Sequence, residues 1–177
     1  MGLVRAVLKS GAVLYSACDV EYLRKYGEWV DIPLILSAVE RPNYGASLLL
    51  FGEDSHFVTA AKAIYQIGKS RLGDLLKMTS PPPLTSKIIK ESSDKNFRAL
   101  DDSIIHNLLL SEHDVVRKAT AIKCIRSLKK SRLESILANY TEADNYRYYN
   151  VIHWLDFGIS VPRDRSMQVA GRLLAKM

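Results

Sequence analysis

Cysteine is scarce in this sequence: 177 residues carry two, Cys18 and Cys124. Each stands among apolar neighbours in a helix-like pattern, so both are expected as buried thiols rather than as a disulfide. Long apolar runs are missing too. The longest, such as ASLLLF at 46–51, fall far short of the roughly 20 residues that cross a bilayer, and no basic-then-apolar leader opens the chain. The expectation is a soluble, cytoplasmic protein without membrane association. No stretch alternates apolar and polar residues convincingly with period two, which argues against strands and for an all-α fold.

Catalytic signatures are equally thin. There is no HExxH, no Cys/His cluster and no GxSxG elbow. His106 and His113 are seven apart and share a helix face with Asp102, which falls short of a metal-ligand set. AIYQIGKS, Ala63 to Ser70, fits a loose phosphate-binding loop, but such a loop needs glycines that turn successive N–H groups inward at a helix N-terminus. Here Ile64, Tyr65, Gln66 and Ile67 follow an Ala-rich helical stretch, so Gly68 is expected to cap a helix C-terminus and Ser70 to open the next helix. Carbonyls would then face a phosphate. Neither an enzymatic activity nor a metal or other cofactor is expected.

What is present is helical periodicity. With 47% hydrophobic and 25% charged residues, the chain is long enough for a real core. Ile32, Ile35, Leu36 and Val39 recur at i, i+3, i+4 and i+7, predicting a helix over 31–41 with Asp31 as N-cap and Pro33 tolerated in its first turn. SRLE predicts a helix over 131–139 with Ser131 and Glu134 as a capping box. Tyr148, Val151, Ile152 and Leu155 predict another over 146–157, stopped by Gly158. The run MTSPPPLTSK at 78–87 is the main break, because consecutive prolines donate no backbone hydrogen bonds. The organisation predicted is an N-terminal half, 1–78, a Pro-rich insertion, 79–97, in which LTSKIIK forms a short helical piece, and a C-terminal half, 98–177.

The halves resemble each other. KSRL occurs at 69–72 and at 130–133, and the same offset aligns Ala60 with Ala121, Ile64 with Ile125, Ile67 with Leu128, Leu75 with Ile136 and Leu76 with Leu137. Apolar positions held in register on both sides of a shared tetrapeptide point to a repeated helix–turn–helix unit.

LLLSEHDVVRKATAIKCIRSL, 108–128, is similar to the second-helix signature of HEAT-type repeats, the antiparallel helix pairs of the HEAT/armadillo class that stack into α-α superhelical solenoids. The resemblance implies a single HEAT-like solenoid fragment over 1–177, with Asp114 and Arg117 pairing in a polar ladder along it. YGEWVDIPLILSAV, 26–39, resembles the end of one repeat running into the next. SHFVTAAKAIYQIG departs from the pattern, with Thr59 where Arg is expected. LVRAVL at 3–8 carries Val-Arg as though the chain opened at a second helix, and Ala170, Leu173, Leu174 and Met177 leave an apolar stripe at the other end. Solenoid ends normally need polar caps. The chain is therefore expected to be a piece of a longer protein or to be partnered at its ends, end-to-end self-association included.

Two surfaces could carry function. Between Val115 and Leu133 stand seven basic residues and no acidic one. At 100° per residue, Ala121, Cys124, Ile125 and Leu128 fall on one side, and Lys118, Lys123, Arg126, Lys129 and Lys130 on the other; Arg132 comes next, and Arg117 alone points to the apolar side. By the resemblance this basic face lines the concave groove. It serves solubility, an acidic protein or nucleic-acid phosphates. The second surface is aromatic: six of fifteen aromatics lie within 140–157, among them Tyr149 and Trp154, as packing or as an anchor for a peptide or unpaired base. HWLDFG invites comparison with HEAT-like DNA glycosylases, but Trp154 and Asp156 point about 200° apart on a helix. The reading is a non-catalytic protein-interaction module, a scaffold or sensor arm meeting a protein partner or flanking domains, with a nucleic-acid-binding module as the alternative.

Overall fold

The computed structural model describes residues 2–9, 17–39 and 53–138. Among these no strand occurs, and the elements are helices throughout, so the chain is all-α. They run α1 (Gly2–Lys9), α2 (Ala17–Tyr26), a 3-10 turn (Trp29–Asp31), α3 (Ile32–Val39), α4 (Glu53–Gly68), a second 3-10 turn (Lys69–Arg71), α5 (Leu72–Met78), α6 (Pro82–Glu91), α7 (Asp94–Arg98), α8 (Asp102–Leu109), α9 (Asp114–Ser127) and α10 (Lys130–Leu137). The chain divides into two compact units, Met1–Asn96 and Phe97–Met177.

In the first unit α4 is the central element, packed against α2, α3, α5 and α6. Ala60, Ala61 and Ala63 are all buried on it, and side chains this short let neighbouring helices approach from more than one side. Ile64 fills the space they leave and is fully buried. The stripe Ile32, Ile35, Leu36 and Val39 is buried as its periodicity predicts. Burying each such side chain contributes roughly 1.5–3 kcal/mol, which offsets the entropy of ordering a short helix.

Asp31 is not the N-cap of that helix. It closes a preceding 3-10 turn capped by Glu28, and its Oδ2 accepts the Glu28 backbone N–H at 2.9 Å. The Pro-rich segment also differs from its reading as an insertion. Pro81 is the N-cap of α6, and Pro82 and Pro83 occupy its first positions, where a helix has no use for the missing N–H groups. Leu84, Ile88 and Ile89 of α6 are fully buried, and α6 packs on α4, so the segment belongs to the first unit's core. Tyr65 on α4 fastens the chain beyond α6: its hydroxyl accepts the Ser93 N–H at 2.8 Å and the Asn96 side-chain amide at 3.0 Å.

The second unit brings α9 and α10 each against α8. Phe97, Ile105, Leu109 and Cys124 have no exposed surface, and Ile104, Val116, Leu133, Ile136 and Leu137 join them in the core. Cys124 is a free thiol, and burial pushes its pKa up to about 12. Lys129, rather than Ser131, is the N-cap of α10, and no side chain caps that end. The side chain of Cys18 and the helix expected over 146–157 lie outside the described residues.

The two units share a local pattern. In each unit a long helix, α4 or α9, is followed after a tight connection by a short helix, α5 or α10; Lys-Ser-Arg forms the 3-10 turn before α5 in the first unit and the first residues of α10 in the second. Leu72 and Leu133 are both buried just after Lys-Ser-Arg, as are the aligned pairs Ala60 and Ala121, Leu75 and Ile136, and Leu76 and Leu137 elsewhere in the pattern. One aligned pair differs: Ile64 is fully buried, whereas Ile125 is half-buried.

Candidate functional site

The cationic residues of α9 are set by which way that helix is turned. Val116, Arg117, Ala119, Thr120, Ala121, Cys124 and Ser127 are buried, an arc of about 200° at 100° per residue. Most are small, and α8 is packed against this helix. Ile125 and Leu128, expected inside that face, are only half-buried. A narrow strip remains exposed, running Val115, Lys118, Ile122, Arg126 down one line of the helix, and Lys129 and Lys130, after the helix end, are exposed as well. Val115 is 50% and Ile122 36% exposed.

The six basic residues proposed from sequence therefore separate. Lys118, Arg126, Lys129 and Lys130 are exposed, and Lys123 is half-buried within the packed arc. Arg132 does something else. Its Nε donates to Asp102 Oδ1 at 2.8 Å, one terminal nitrogen donates to the Arg98 carbonyl at 2.5 Å, and the other donates to the Leu100 carbonyl at 2.6 Å. These are the groups around the entry to α8, so Arg132 clamps α10 to that end and is not a spare cation for a ligand.

Asp114 and Arg117 pair with each other within one turn of α9, and Arg117 also donates to the Ser111 carbonyl at 2.5 Å. The pair closes the N-terminal end of its own helix. Burial of Arg117, at 4% exposure, agrees with its expected orientation. Three-residue spacing on a helix is what brings these two side chains together. Tyr149 and Trp154 lie outside the described residues.

A different basic-aromatic contact occurs in the first unit. Arg71, the counterpart of Arg132 under the repeat offset, stacks over the Trp29 ring at 4.2 Å and bonds Asp74 at 3.0 Å. Nearby in sequence, Tyr22 and Tyr26 pack at 4.9 Å, with Lys25 over Tyr26 at 5.1 Å. Sequence reasoning missed these, and it missed Val115 and Ile122. The helical wheel that separated the lysines also puts both on the lysine side.

The AIYQIGKS stretch is a helix end. Ala63 to Gly68 complete α4, Lys69 begins a 3-10 turn, and the Lys69 carbonyl accepts the Asn96 amide at 3.1 Å. Gly68 is not in the left-handed conformation expected of a cap (φ −98°). It is glycine for space: a Cβ there would lie 3.1 Å from Leu75, 3.2 Å from Trp29 and 3.4 Å from Ile32. Among the described residues no three His, Cys, Asp or Glu side chains converge to hold a metal, and no helix is long and apolar enough to cross a membrane.

Comparison with protein-family models, with curated proteins and with solved structures finds no match.

Proposed function

We propose that this chain is a cytoplasmic, non-catalytic protein-interaction module of HEAT-like helical repeats, a scaffold or sensor arm within a larger protein. The recurrence in both units of a long helix, a tight connection and a short helix, with Lys-Ser-Arg before or at the start of the short helix, supports the repeat reading. The observation that carries the function is the exposed strip of α9, where aliphatic and cationic side chains share one line. Macromolecular surfaces that bind proteins combine desolvated apolar anchors with a charged rim. Arg71 in the first unit's 3-10 turn and Arg132 in α10 are each engaged inside their own unit.

The second reading, a nucleic-acid-binding module, is favoured by the exposure of Lys118, Arg126, Lys129 and Lys130. Salt separates the two. Phosphate neutralisation makes affinity fall linearly in log salt, and removing two of these cations flattens the slope by about two units. The protein-binding reading expects only weak duplex DNA and RNA binding at physiological salt. It also expects photo-crosslinkers on the chain surface to capture a protein. Submicromolar duplex binding lost on reversing Arg126 and Lys130 would transfer the function to nucleic acid.

A further inference from the structure

We infer that the exposed strip of α9 docks an acidic amphipathic helical segment of a protein partner. The inference rests on the protein-interaction reading and narrows it to one surface and one chemistry. Val115 and Ile122 are seven residues apart, two turns, so about 10 Å separates them on the same line. Lys118 lies between them and Arg126 one turn beyond, with Lys129 and Lys130 after the helix end. A partner helix laid along the strip meets two aliphatic anchors at heptad spacing. It meets cations before and after the second anchor, so its own apolar residues need the same spacing and carboxylates beside them.

Charge selects the partner's sign. From Val115 to Leu133 the chain offers no carboxylate, and Asp114, beside the Val115 end, is paired with Arg117, so an acidic helix meets cations along this line. The aliphatic pair argues against phosphate as the ligand. A nucleic-acid backbone contacts cations and hydrogen-bond donors, and Val115 and Ile122 on the strip would be desolvated with nothing apolar to meet. The strip's narrowness suits one helix rather than a broad sheet of contacts, because the flanking positions 116 and 119 on one side and 121 on the other are already buried in the unit.

The test uses the full chain and a fluorescein-labelled peptide of about four helical turns, with two leucines at the Val115–Ile122 spacing among glutamates. A second peptide of the same composition has its leucines on opposite faces. Anisotropy is expected to show saturable binding of the first peptide and much weaker binding of the second. Ile122→Ser and the double charge reversal Lys118→Glu/Arg126→Glu are each expected to weaken binding by about tenfold or more. Unchanged circular-dichroism melts keep these readouts about binding, and Val115→Ser replaces Ile122→Ser if that variant melts early. Equal binding of both peptides, indifference to the apolar variants, or no saturation overturns the inference. Displacement of the peptide by duplex RNA with no Ile122 dependence also overturns it and removes the protein-binding reading as well. Crosslinks to a protein from other surfaces, with none from position 122, end this inference and leave that reading intact.

Discussion

The Arg5 guanidinium closes on the Asp31 carboxylate across 26 positions of chain, Nε to Oδ1 at 2.6 Å and a terminal nitrogen to Oδ2 at 3.1 Å, and the same nitrogen reaches Glu28 at 2.8 Å. Asp31 has no exposed side-chain surface, so α1 is fastened to the start of α3 by a carboxylate out of water. The hydrogen bond from Arg5 is the main cause holding the Asp31 carboxyl below the usual carboxylate range, with the Glu28 N–H adding to it against the opposing effect of burial. A depressed folded pKa contributes stability that is fully present above the unfolded value, about 4, and is lost as pH falls through the lower folded value. The stability difference between wild type and Asp31→Asn is expected at neutral pH and should shrink progressively below about pH 4. Urea unfolding at a series of pH values measures it, and a constant difference would contradict the pairing.

Arg132 is expected to matter to the fold and Lys130 not to. Arg132→Ala removes the hydrogen bonds to Asp102 and to the Arg98 and Leu100 carbonyls and should cost about 1–2 kcal/mol, whereas Lys130→Ala should stay within about 0.5 kcal/mol. Arg132→Lys should rescue little, because an ammonium lacks the planar fork that reaches three acceptors. Denaturant midpoints of the three variants decide this.

The offset that aligns the two halves places Ile64 opposite Ile125, but their burial differs, so their substitutions should differ. Ile64→Ala is expected to cost about 2–5 kcal/mol and Ile125→Ala about 1 kcal/mol. The same order holds for Asp at either position, and Ile125→Asp is expected to be milder than a fully buried site would be. Equal losses would mean that α9 is rotated from the orientation described.

Gly27 comes directly after α2, where its N–H bonds the Leu23 carbonyl at 2.7 Å, and a Cβ added there would strike that carbonyl oxygen and the Ile67 side chain. A side-chain tip can swing aside; the backbone oxygen of a packed helix end cannot do so cheaply. Gly27→Ala is expected to destabilise by about 1–3 kcal/mol, read as a lowered thermal midpoint. Wild-type stability in that variant would show the contact to be loose.

Several features were readable from residue order alone because they depend on neighbours within one or two helical turns. The i, i+3, i+4, i+7 spacing of Ile32, Ile35, Leu36 and Val39 dictated a helix and its inner face, and all four are buried. The all-α class, the burial of Cys124 and Arg117, and the exposure of Lys118, Arg126, Lys129 and Lys130 follow from the same arithmetic. The orientation of α9 was only partly legible: its composition allowed several faces to be inward, and packing chose the one that turned Ile125 to the margin and left Val115 and Ile122 outside. Partner choice was not legible at all. Asp31 had an N-cap role open to it by sequence, and it took Arg5 because α1 packs against α3. Arg132 looked like one more surface cation until α10 met the entry of α8. The prolines at 81–83 signalled an interruption, but a helix lacks internal acceptors for its first N–H groups, so they could open α6 and let it complete the core. Gly68 resembled a cap and is a spacer beneath Leu75 and Trp29. A local pattern specifies a helix and the side it would bury, whereas ion pairs, clamps and close approaches join residues tens of positions apart, and only the path of the folded chain selects among the partners that the sequence permits.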